Sequence, residues 1–312
     1  GAIRCHPYVL KEMEAARLED PRRRIERFDD LLFSHVGYSI RNAVRSLFLG
    51  LSFGKFASVP HDRKTAKYYR KLSRYSASLA FVSDVSMLVL GGKLKQKEHL
   101  SARLGDVLSH LYICSAMLKR YEAEGRPAAD QAILAWAFHD AIYKTQVAMR
   151  KVVDNFPNRP MRGLLRFIVF PFGRRERVPG DRLTHRVAQL LLTPSDTRSR
   201  LSNGVFLSES SNHPVSFMEA ALPQVIRAEP LERKLLKAIK QGEIRGITWD
   251  ERLREALDKS VITAEEAEIL THVRELVDEI IAVDDAGLAE WQPPAETLAD
   301  PVREMKYALR AY

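Results

Sequence analysis

The chain has 312 residues, a length that favours two domains or one helical bundle with appended parts and that allows a sizeable core. Its two cysteines, Cys5 and Cys114, lie far apart and match no metal-binding or redox spacing, which fits a reducing compartment. No uncharged apolar run of about eighteen residues occurs, so the sequence predicts no membrane-spanning helix.

The net charge of +9 is unevenly distributed. Residues 264–304 contain twelve Asp or Glu and two Arg, which gives this part a charge of −10 against +19 for the remainder. A basic body of this kind indicates an anionic partner: membrane lipid, nucleic acid or a phosphorylated ligand. A solvated surface that is simply rich in Lys and Arg explains the same charge equally well.

The start of the chain, residues 1–60, is predicted to contain two helices. The first covers residues 1–19, a charged connector follows over 19–26, and the second helix runs from about 28 to 53. Because the chain opens on Gly1 without a methionine and enters a helix at once, we expect a preceding part that these helices join. The apolar stripe of the second helix has helical spacing: Leu31, Leu32, Val36, Ile40, Val44 and Leu47.

Three long helices then make up the most strongly patterned part, over about 63–90, 96–124 and 127–156. Connections of only a few residues force such helices into antiparallel neighbours. The sequence therefore predicts an all-α fold: an antiparallel helical bundle over residues 61–157, with additional short helices C-terminal to it. The stripes that would form its core are Tyr68, Leu72, Tyr75, Leu79 and Val82; Leu100, Leu104, Leu108, Leu111, Leu118 and Tyr121; and Leu134, Phe138, Ala141, Thr145, Ala148 and Val152.

An Arg-rich apolar segment follows the bundle, after a rigid elbow at Pro157 and Pro160. Between Arg159 and Arg177 it has six Arg and one Glu. Aromatic and aliphatic bulk combined with arginines is typical of a helix lying in a membrane interface. Packing against the bundle with the arginines paired to acidic helices, or insertion into a groove of a partner protein, remain alternatives. The interface candidates are Arg162, Leu165, Arg166, Phe167, Ile168, Phe170, Phe172, Arg174 and Arg175.

The remaining chain is predicted as short helices and loops, and no strand is expected. Residues 158–213 hold the Arg-rich segment, a helix over 181–192, a short turn of helix over 197–201 and a loop. Residues 214–285 form small helical pairs, the first of them hinged at Pro230 between 215–228 and 231–241. The second pair covers 249–259 and 264–283, with Thr263 and Glu266 as a capping box. Residues 286–312 are expected to be a poorly ordered tail.

No catalytic, cofactor-binding or metal-binding residue is assigned from the sequence. Glu98–His99 and Glu268 with His272 have the wrong spacing for a di-iron bundle. His139 and Asp140 are neighbours that point to different sides of a helix, so a surface or core pair is preferred to a catalytic dyad. Arg198 and Arg200 would either hold a phosphate at a helix start or belong to a plain capped turn. Nucleic acid is not an expected partner, because the aromatics lie mainly on apolar stripes.

Five stretches together resemble one family. They are residues 1–8, 83–95, 101–121, 155–159 and 197–201. Their amino-acid sequences are similar to the C-terminal region of bacterial long-chain acyl-CoA dehydrogenases of fatty-acid β-oxidation. The likeness covers most of residues 1 to about 285. The central bundle also resembles the additional C-terminal helical domain of the mitochondrial very-long-chain enzyme.

The resemblance implies a parent enzyme that binds FAD and oxidises a long-chain fatty acyl-CoA to the trans-2-enoyl-CoA. A glutamate removes the α proton, the β hydride goes to the flavin, and an electron-transfer flavoprotein takes the electrons. In the family these parts precede the segment on which this chain opens, so no cofactor and no activity are expected in this chain by itself.

The function expected from the sequence is therefore that of an accessory region: completing a bundle, supporting subunit contacts in a homodimer, and docking on an anionic membrane surface. The implied location is the bacterial cytoplasm, peripheral on the inner membrane. A free-standing helical protein that binds a partner or an anionic surface without catalysis is the alternative. An open reading frame that continues far upstream of Gly1 would favour the enzyme, and one that starts near Gly1 would favour the alternative.

Overall fold

The structure is a computed structural model, which describes residues 6–59, 63–208 and 213–283. Within these residues the chain is all-α and contains no strand, as the sequence predicts. The expected tail over 286–312 lies outside the described residues. The helices are α1 (Val9–Ala15), α2 (Pro21–Leu51), α3 (Arg63–Leu90), α4 (Glu98–Ala123), α5 (Gln131–Asp154), α6 (Arg159–Val169), α7 (Asp181–Leu192), α8 (Asp196–Ser202), α9 (Pro214–Lys240), α10 (Trp249–Asp258) and α11 (Ala264–Ile281).

Helix α2 is longer than its apolar pattern indicates. The charged stretch that was predicted as a connector is its first two turns, so that prediction is wrong. Asp20 accepts a hydrogen bond from the backbone N–H of Arg22 over 3.0 Å, and Pro21 occupies the first turn, where its missing N–H leaves no donor unpaired. A cap and a proline start the helix here without any apolar residue.

The core of the bundle is formed where α3, α4 and α5 face one another. Tyr75, Leu118 and Phe138 are fully enclosed, and every predicted core residue of α5 is buried. Leu108, in contrast, is exposed although it was placed on the core stripe of α4. Steps of four residues advance by about 40° around a helix, so a third member of such a series rotates off the buried face. Val107 takes the inward position instead, and Leu111 is buried as predicted.

One helix in the described part of the chain, over Lys64–Lys95, is long and apolar enough to cross a membrane by length and composition. This differs from the sequence prediction, which found no such segment. Tyr75, Phe81, Val82 and Val85 of this helix lie in the core of the bundle, where α4 and α5 provide their apolar surroundings.

The chain divides into two compact units, Gly1–Leu201 and Ser202–Tyr312. In the second unit, α9 is one continuous helix with Pro223 and Pro230 inside it, so the predicted hinge at Pro230 is wrong. Proline removes one backbone hydrogen bond from a helix, but residues on both sides of Pro230, among them Ala228 and Leu235, are held by the core of this unit. That packing outweighs the local loss.

Two capping boxes fix the helices that follow α9. In α10 the pair is Thr248 and Glu251, which the sequence analysis did not name. In α11 it is Thr263 and Glu266, as the sequence predicts. In each box the threonine hydroxyl accepts from the glutamate N–H and the glutamate carboxylate accepts from the threonine N–H. The starts of both helices are thereby defined by local chemistry.

Candidate functional site

The Arg-rich segment forms helix α6 and the extended chain after it. Asn158 caps the helix by accepting from the N–H of Met161 over 3.0 Å. The nine interface candidates are divided by this geometry, because the helix turns one face to the bundle and one to solvent. Leu165, Ile168 and Phe170 are buried in the core; Phe167 and Phe172 are 61% and 54% exposed.

The arginines of this segment have no acidic partners among the described residues. Arg162 donates from Nε and Nη2 to the carbonyl oxygen of Phe156, over 3.1 and 2.8 Å, and so holds the elbow. The single acid of the segment, Glu176, is buried and is paired with Lys71. The alternative in which this segment packs against the bundle is therefore confirmed for its apolar face, but the ion pairs to acidic helices that it included are absent among the described residues. The arginines at the surface are Arg159, Arg166, Arg174, Arg175 and Arg177.

An exposed group of aromatic side chains adjoins the segment, and we call it the aromatic surface: Phe48, Phe53, Phe56 and Phe172, with Arg175. The rings of Phe53 and Phe172 stack at 5.3 Å between centroids, and those of Phe48 and Phe56 at 5.4 Å. The guanidinium carbon of Arg175 lies 4.6 Å from the centre of the Phe53 ring. Aromatic rings and arginine are thus brought together at the surface, which is the chemistry of an interface.

Most of the predicted apolar stripe of helix α2 faces solvent. Val36, Ile40 and Val44 of this stripe are exposed, as are Phe33 and Phe48 on the same face, whereas Leu31 is buried. The opposite face of the helix, which packs on α3, is mostly polar or small. Its buried members are Leu31, His35, Asn42, Ser46, Leu49 and Gly50. An exposed apolar helix face of this length is typical of an interaction site.

The polar face of α2 contributes to a buried cluster of charged groups, which we call the Asp84 cluster. Asp84 of α3 accepts hydrogen bonds from His35 Nε2 over 2.8 Å, from His6 Nε2 over 3.2 Å, and from the Ser39 hydroxyl. His35 Nδ1 donates to Glu12 of α1 over 2.7 Å. The Asp84 side chain is wholly enclosed, so these bonds replace its hydration.

The bonding partners determine the protonation of the two histidines. Both ring nitrogens of His35 face carboxylates, so both donate and the ring is an imidazolium. Burial alone would lower the pKa of His35, but its hydrogen bonds to Asp84 and Glu12 outweigh burial and raise the pKa above the ordinary value. Nδ1 of His6 accepts from the N–H groups of Tyr8 and Val9, so His6 is neutral with its proton on Nε2; its pKa is lowered, chiefly by burial.

His6, His35 and Asp84 stand close enough to be considered as metal ligands. Their hydrogen bonds oppose that use. A metal on Nε2 of His6 would require a proton on Nδ1, where two backbone N–H groups already point. The carboxylate–histidine pair of Glu12 and His35 is the kind of second-shell arrangement that metal sites use, but here Nε2 of His35 also needs its proton for Asp84. The cluster is a closed ionic network that ties α1, α2 and α3 together.

The sequence analysis missed this cluster, although a signal for it is present. His35, Ser39, Asn42 and Ser46 recur at three- and four-residue spacing inside a helix that is otherwise apolar on one side. Polar residues at core spacing predict a buried hydrogen-bonded face. The pattern was hidden because the apolar stripe was the stronger periodic signal on the same helix.

Two other sequence candidates are occupied within the chain. Arg200 donates to Asp130 over 2.7 Å, and the Thr197 hydroxyl also donates to Asp130, so this turn is a closed ionic contact between α8 and the start of α5. Burial would raise the pKa of Asp130, but its bonds to Arg200 and Thr197 hold it below its usual value.

His139 and Asp140 do not pair: the carboxylate of Asp140 binds Lys144. Burial and the nearby lysines lower the pKa of His139.

A comparison with protein families gives one match over nearly the whole chain. The family described as acyl-CoA dehydrogenase, C-terminal, bacterial type, matches residues 3–285. The match includes α1 to α11 and so spans both compact units. No solved structure matches the chain significantly.

Proposed function

Because the chain belongs to the family of bacterial-type acyl-CoA dehydrogenase C-terminal domains, we propose that it is the accessory region of an FAD-dependent enzyme. That enzyme would oxidise long-chain fatty acyl-CoA to the trans-2-enoyl-CoA in β-oxidation and pass the electrons to an electron-transfer flavoprotein. The catalytic part precedes this region in the polypeptide. The role of the region is to dock on that part and to hold the assembled enzyme at an anionic surface.

The observation that carries the docking proposal is the orientation of α2. Its stripe from Phe33 to Phe48 extends over about 22 Å, from the rise of a helix, and is directed to solvent in the isolated region. The residues opposite the stripe are fixed inward by the Asp84 cluster and by the hydroxyl contact of Ser46 with Ser78 at 2.9 Å. The helix therefore offers an apolar face that cannot turn inward without breaking buried hydrogen bonds.

The described residues provide no fitting cradle for the flavin at the Asp84 cluster. Both ring nitrogens of His6 and of His35 already have partners, and so do both oxygens of Asp84. The ring nitrogens of both histidines are thus occupied, and the Asp84 carboxylate is wholly enclosed. We assign FAD, which accepts the hydride in this family, and the glutamate that removes the proton, to the preceding part of the enzyme, as the family resemblance implies.

Thiol labelling tests the docking proposal without disturbing the fold. Ile40→Cys and Val44→Cys place thiols on the exposed stripe, and Arg45→Cys places one on an exposed position beside it. In the isolated region all three should react with a thiol reagent faster than the native Cys114, which is buried. In the full-length enzyme the first two should become protected and Arg45→Cys should stay reactive.

Equal reactivity of all three variants in the full-length enzyme would overturn docking through α2. The isolated region is expected to show neither flavin absorbance nor oxidation of palmitoyl-CoA. A purified region with bound flavin would contradict the assignment of catalysis to the preceding part.

Docking on lipid is the second part of the proposal. It is supported by arginines that have no acidic partner among the described residues and that lie beside the exposed Phe167 and Phe172. Co-sedimentation with vesicles that contain phosphatidylglycerol tests it at moderate salt. Phe167→Asp with Phe172→Asp should abolish pelleting, whereas Tyr112→Asp, an exposed aromatic position on α4, should not. Ile168 is buried and is unsuitable for this test. Equal pelleting of the double variant and the parent would remove lipid docking and leave the α2 proposal standing.

A further inference from the structure

An arginine without an acidic partner is buried in α3. Arg74 is 5% exposed, and its Nε is enclosed without a hydrogen bond. No ion pair or side-chain hydrogen bond joins its guanidinium to any described residue; its contact is with the ring of Tyr75, 5.2 Å from the guanidinium carbon. A buried polar atom without a hydrogen bond is costly to the folded state, and an anionic oxygen bound at Nε would remove that cost.

Further unsatisfied donors lie beside Arg74. Arg70 is one helical turn earlier on the same face of α3, is partly buried, and also has an enclosed Nε without a partner. The turn after α2 lies directly against it: a Cβ on Gly54 would be 2.6 Å from the carbonyl oxygen of Arg70. Ser52 of this turn has a buried hydroxyl without a partner. Two guanidinium groups and a hydroxyl thus come from two neighbouring elements.

The compensation for these charges within the protein is incomplete. Glu176 is close enough to raise the pKa of Tyr75, but its carboxylate is bound to Lys71. The carbonyl end of α2, at Ser52, gives only a partial negative charge. Arg175 adds a further cation near the same turn, over the ring of Phe53. The balance of this region is strongly positive.

We propose that Arg70, Arg74 and Ser52 form a binding site for a phosphate group. Guanidinium groups donate in a planar fork that matches phosphate oxygens, and a hydroxyl adds a single donor. Arg70, which is partly exposed, lies next to the turn that carries Phe53. The site therefore adjoins the aromatic surface, and the phosphate belongs either to a soluble phosphate ester or to a phospholipid head group.

Thermal unfolding with and without phosphate tests the site. At constant ionic strength, exchange of chloride for inorganic phosphate should raise the melting temperature of the parent chain. Arg70→Gln should weaken phosphate binding by about ten-fold or more, since it removes a charge-assisted contact. Arg177→Gln, an exposed position with a like charge, should leave the response unchanged. A phosphate response of Arg70→Gln equal to that of the parent would overturn the proposal.

Arg74→Met separates a ligand-binding role from a structural one. If the charge awaits a ligand, its replacement by an apolar chain of similar length raises the melting temperature in chloride and removes the response to phosphate. If Arg74 serves the fold, the same variant melts lower in chloride, and this outcome would also overturn the proposal. Because Arg70 is partly exposed, we expect the Arg70→Gln variant to fold. The test therefore does not depend on whether Arg74→Met folds.

Two ligands identify the source of the phosphate. A shift with glycerol 3-phosphate as large as that with inorganic phosphate assigns a soluble ester. Preferential pelleting with phosphatidate over phosphatidylglycerol vesicles, lost in Arg70→Gln, assigns a lipid head group. The site is independent of lipid docking: Phe167→Asp with Phe172→Asp should lose vesicle binding and keep the response to inorganic phosphate. Absence of any response to phosphate, glycerol 3-phosphate and phosphatidate would refute the site alone.

Discussion

His35 donates to Asp84 through an enclosed hydrogen bond of 2.8 Å, and this contact joins α2 to α3. The carboxylate of Asp84 is wholly buried and the His35 ring almost so. A charge pair in such surroundings stabilises the fold only as long as both members are present, because the survivor would be left uncompensated. Both residues are therefore positions at which small chemical changes have large effects.

Replacement of Asp84 by asparagine tests this dependence. The change keeps the size of the side chain but removes the negative charge to which His6, His35 and Ser39 donate hydrogen bonds. We expect the free energy of unfolding to fall by about 3 kcal/mol, measured by urea denaturation followed by circular dichroism. Asp154→Asn, which breaks an exposed pair with Arg150, serves as the control and should cost less than about 1 kcal/mol. Equal losses in the two variants would show that the cluster is solvated.

The two histidines of the Asp84 cluster predict opposite pH dependences. Around them stand Glu12 and Tyr8 from the N-terminal segment, Tyr38 from α2 and Asp84 from α3. The pKa of His35 is raised, so its contribution to stability is present below pH 6.5 and is lost as pH rises through its folded pKa. The pKa of His6 is lowered, so the unfolded chain binds more protons than the folded chain below pH 6.5, and stability falls there.

Together these shifts give a stability maximum near pH 6.5, with a contribution of His139, whose pKa is also lowered, on the acid side. Urea denaturation across this range measures the profile. His35→Gln should flatten the alkaline side, and His6→Gln the acid side. A His35→Gln variant that keeps the parent's alkaline decline would contradict the imidazolium assignment.

The exposed stripe of α2 predicts unequal effects of truncation on its two faces. Leu49 is buried and Val44 is exposed on the same helix. In the isolated chain Leu49→Ala should reduce the free energy of unfolding by about 2 to 3 kcal/mol through the cavity it leaves. Val44→Ala should change it by less than about 0.5 kcal/mol. If Val44→Ala were the more damaging change, the stripe would already be covered, for instance by a second copy of the chain.

The second unit offers a local test at its capping boxes. Thr263→Ala removes the hydroxyl that accepts from the N–H of Glu266, and should cost about 1 kcal/mol of stability. Thr271→Ala is a matched control, because the Thr271 hydroxyl only donates a hydrogen bond to the carbonyl of Ala267 in the preceding turn of the helix. Differential scanning calorimetry of both variants measures the difference. Equal melting temperatures would show that the cap at Thr263 is replaced by water.

Where periodicity is strong and the chain packs on itself, the fold follows from the sequence. The bounds of α3, the core of α5 and the capping box at Thr263 are of this kind, since spacing and cap chemistry are local. The start of α2 and the continuity of α9 through Pro230 are not. In the first case a single side-chain cap decides; in the second, tertiary packing overrides the proline.

The functional residues divide in a similar way. The Arg-rich segment is recognisable from composition, but its division into buried Leu165 and exposed Phe167 depends on how α6 meets the bundle. The Asp84 cluster brings together residues 6, 12, 35, 39 and 84, and no periodicity on one element links α1 to α3. The spacing of the α2 stripe predicts a helix correctly, but it does not predict which face of that helix is buried.

The hydroxyl and imidazole contacts along α2 have a consequence for how the helix is oriented about its own axis. Half a turn of rotation would bring Ile40 and Val44 onto α3, which is what apolar burial alone would favour. The same rotation would break the hydrogen bonds of His35 with Asp84 and of Ser46 with Ser78. Polar bonds therefore set the azimuth of this helix, and its apolar residues remain at the surface as a result.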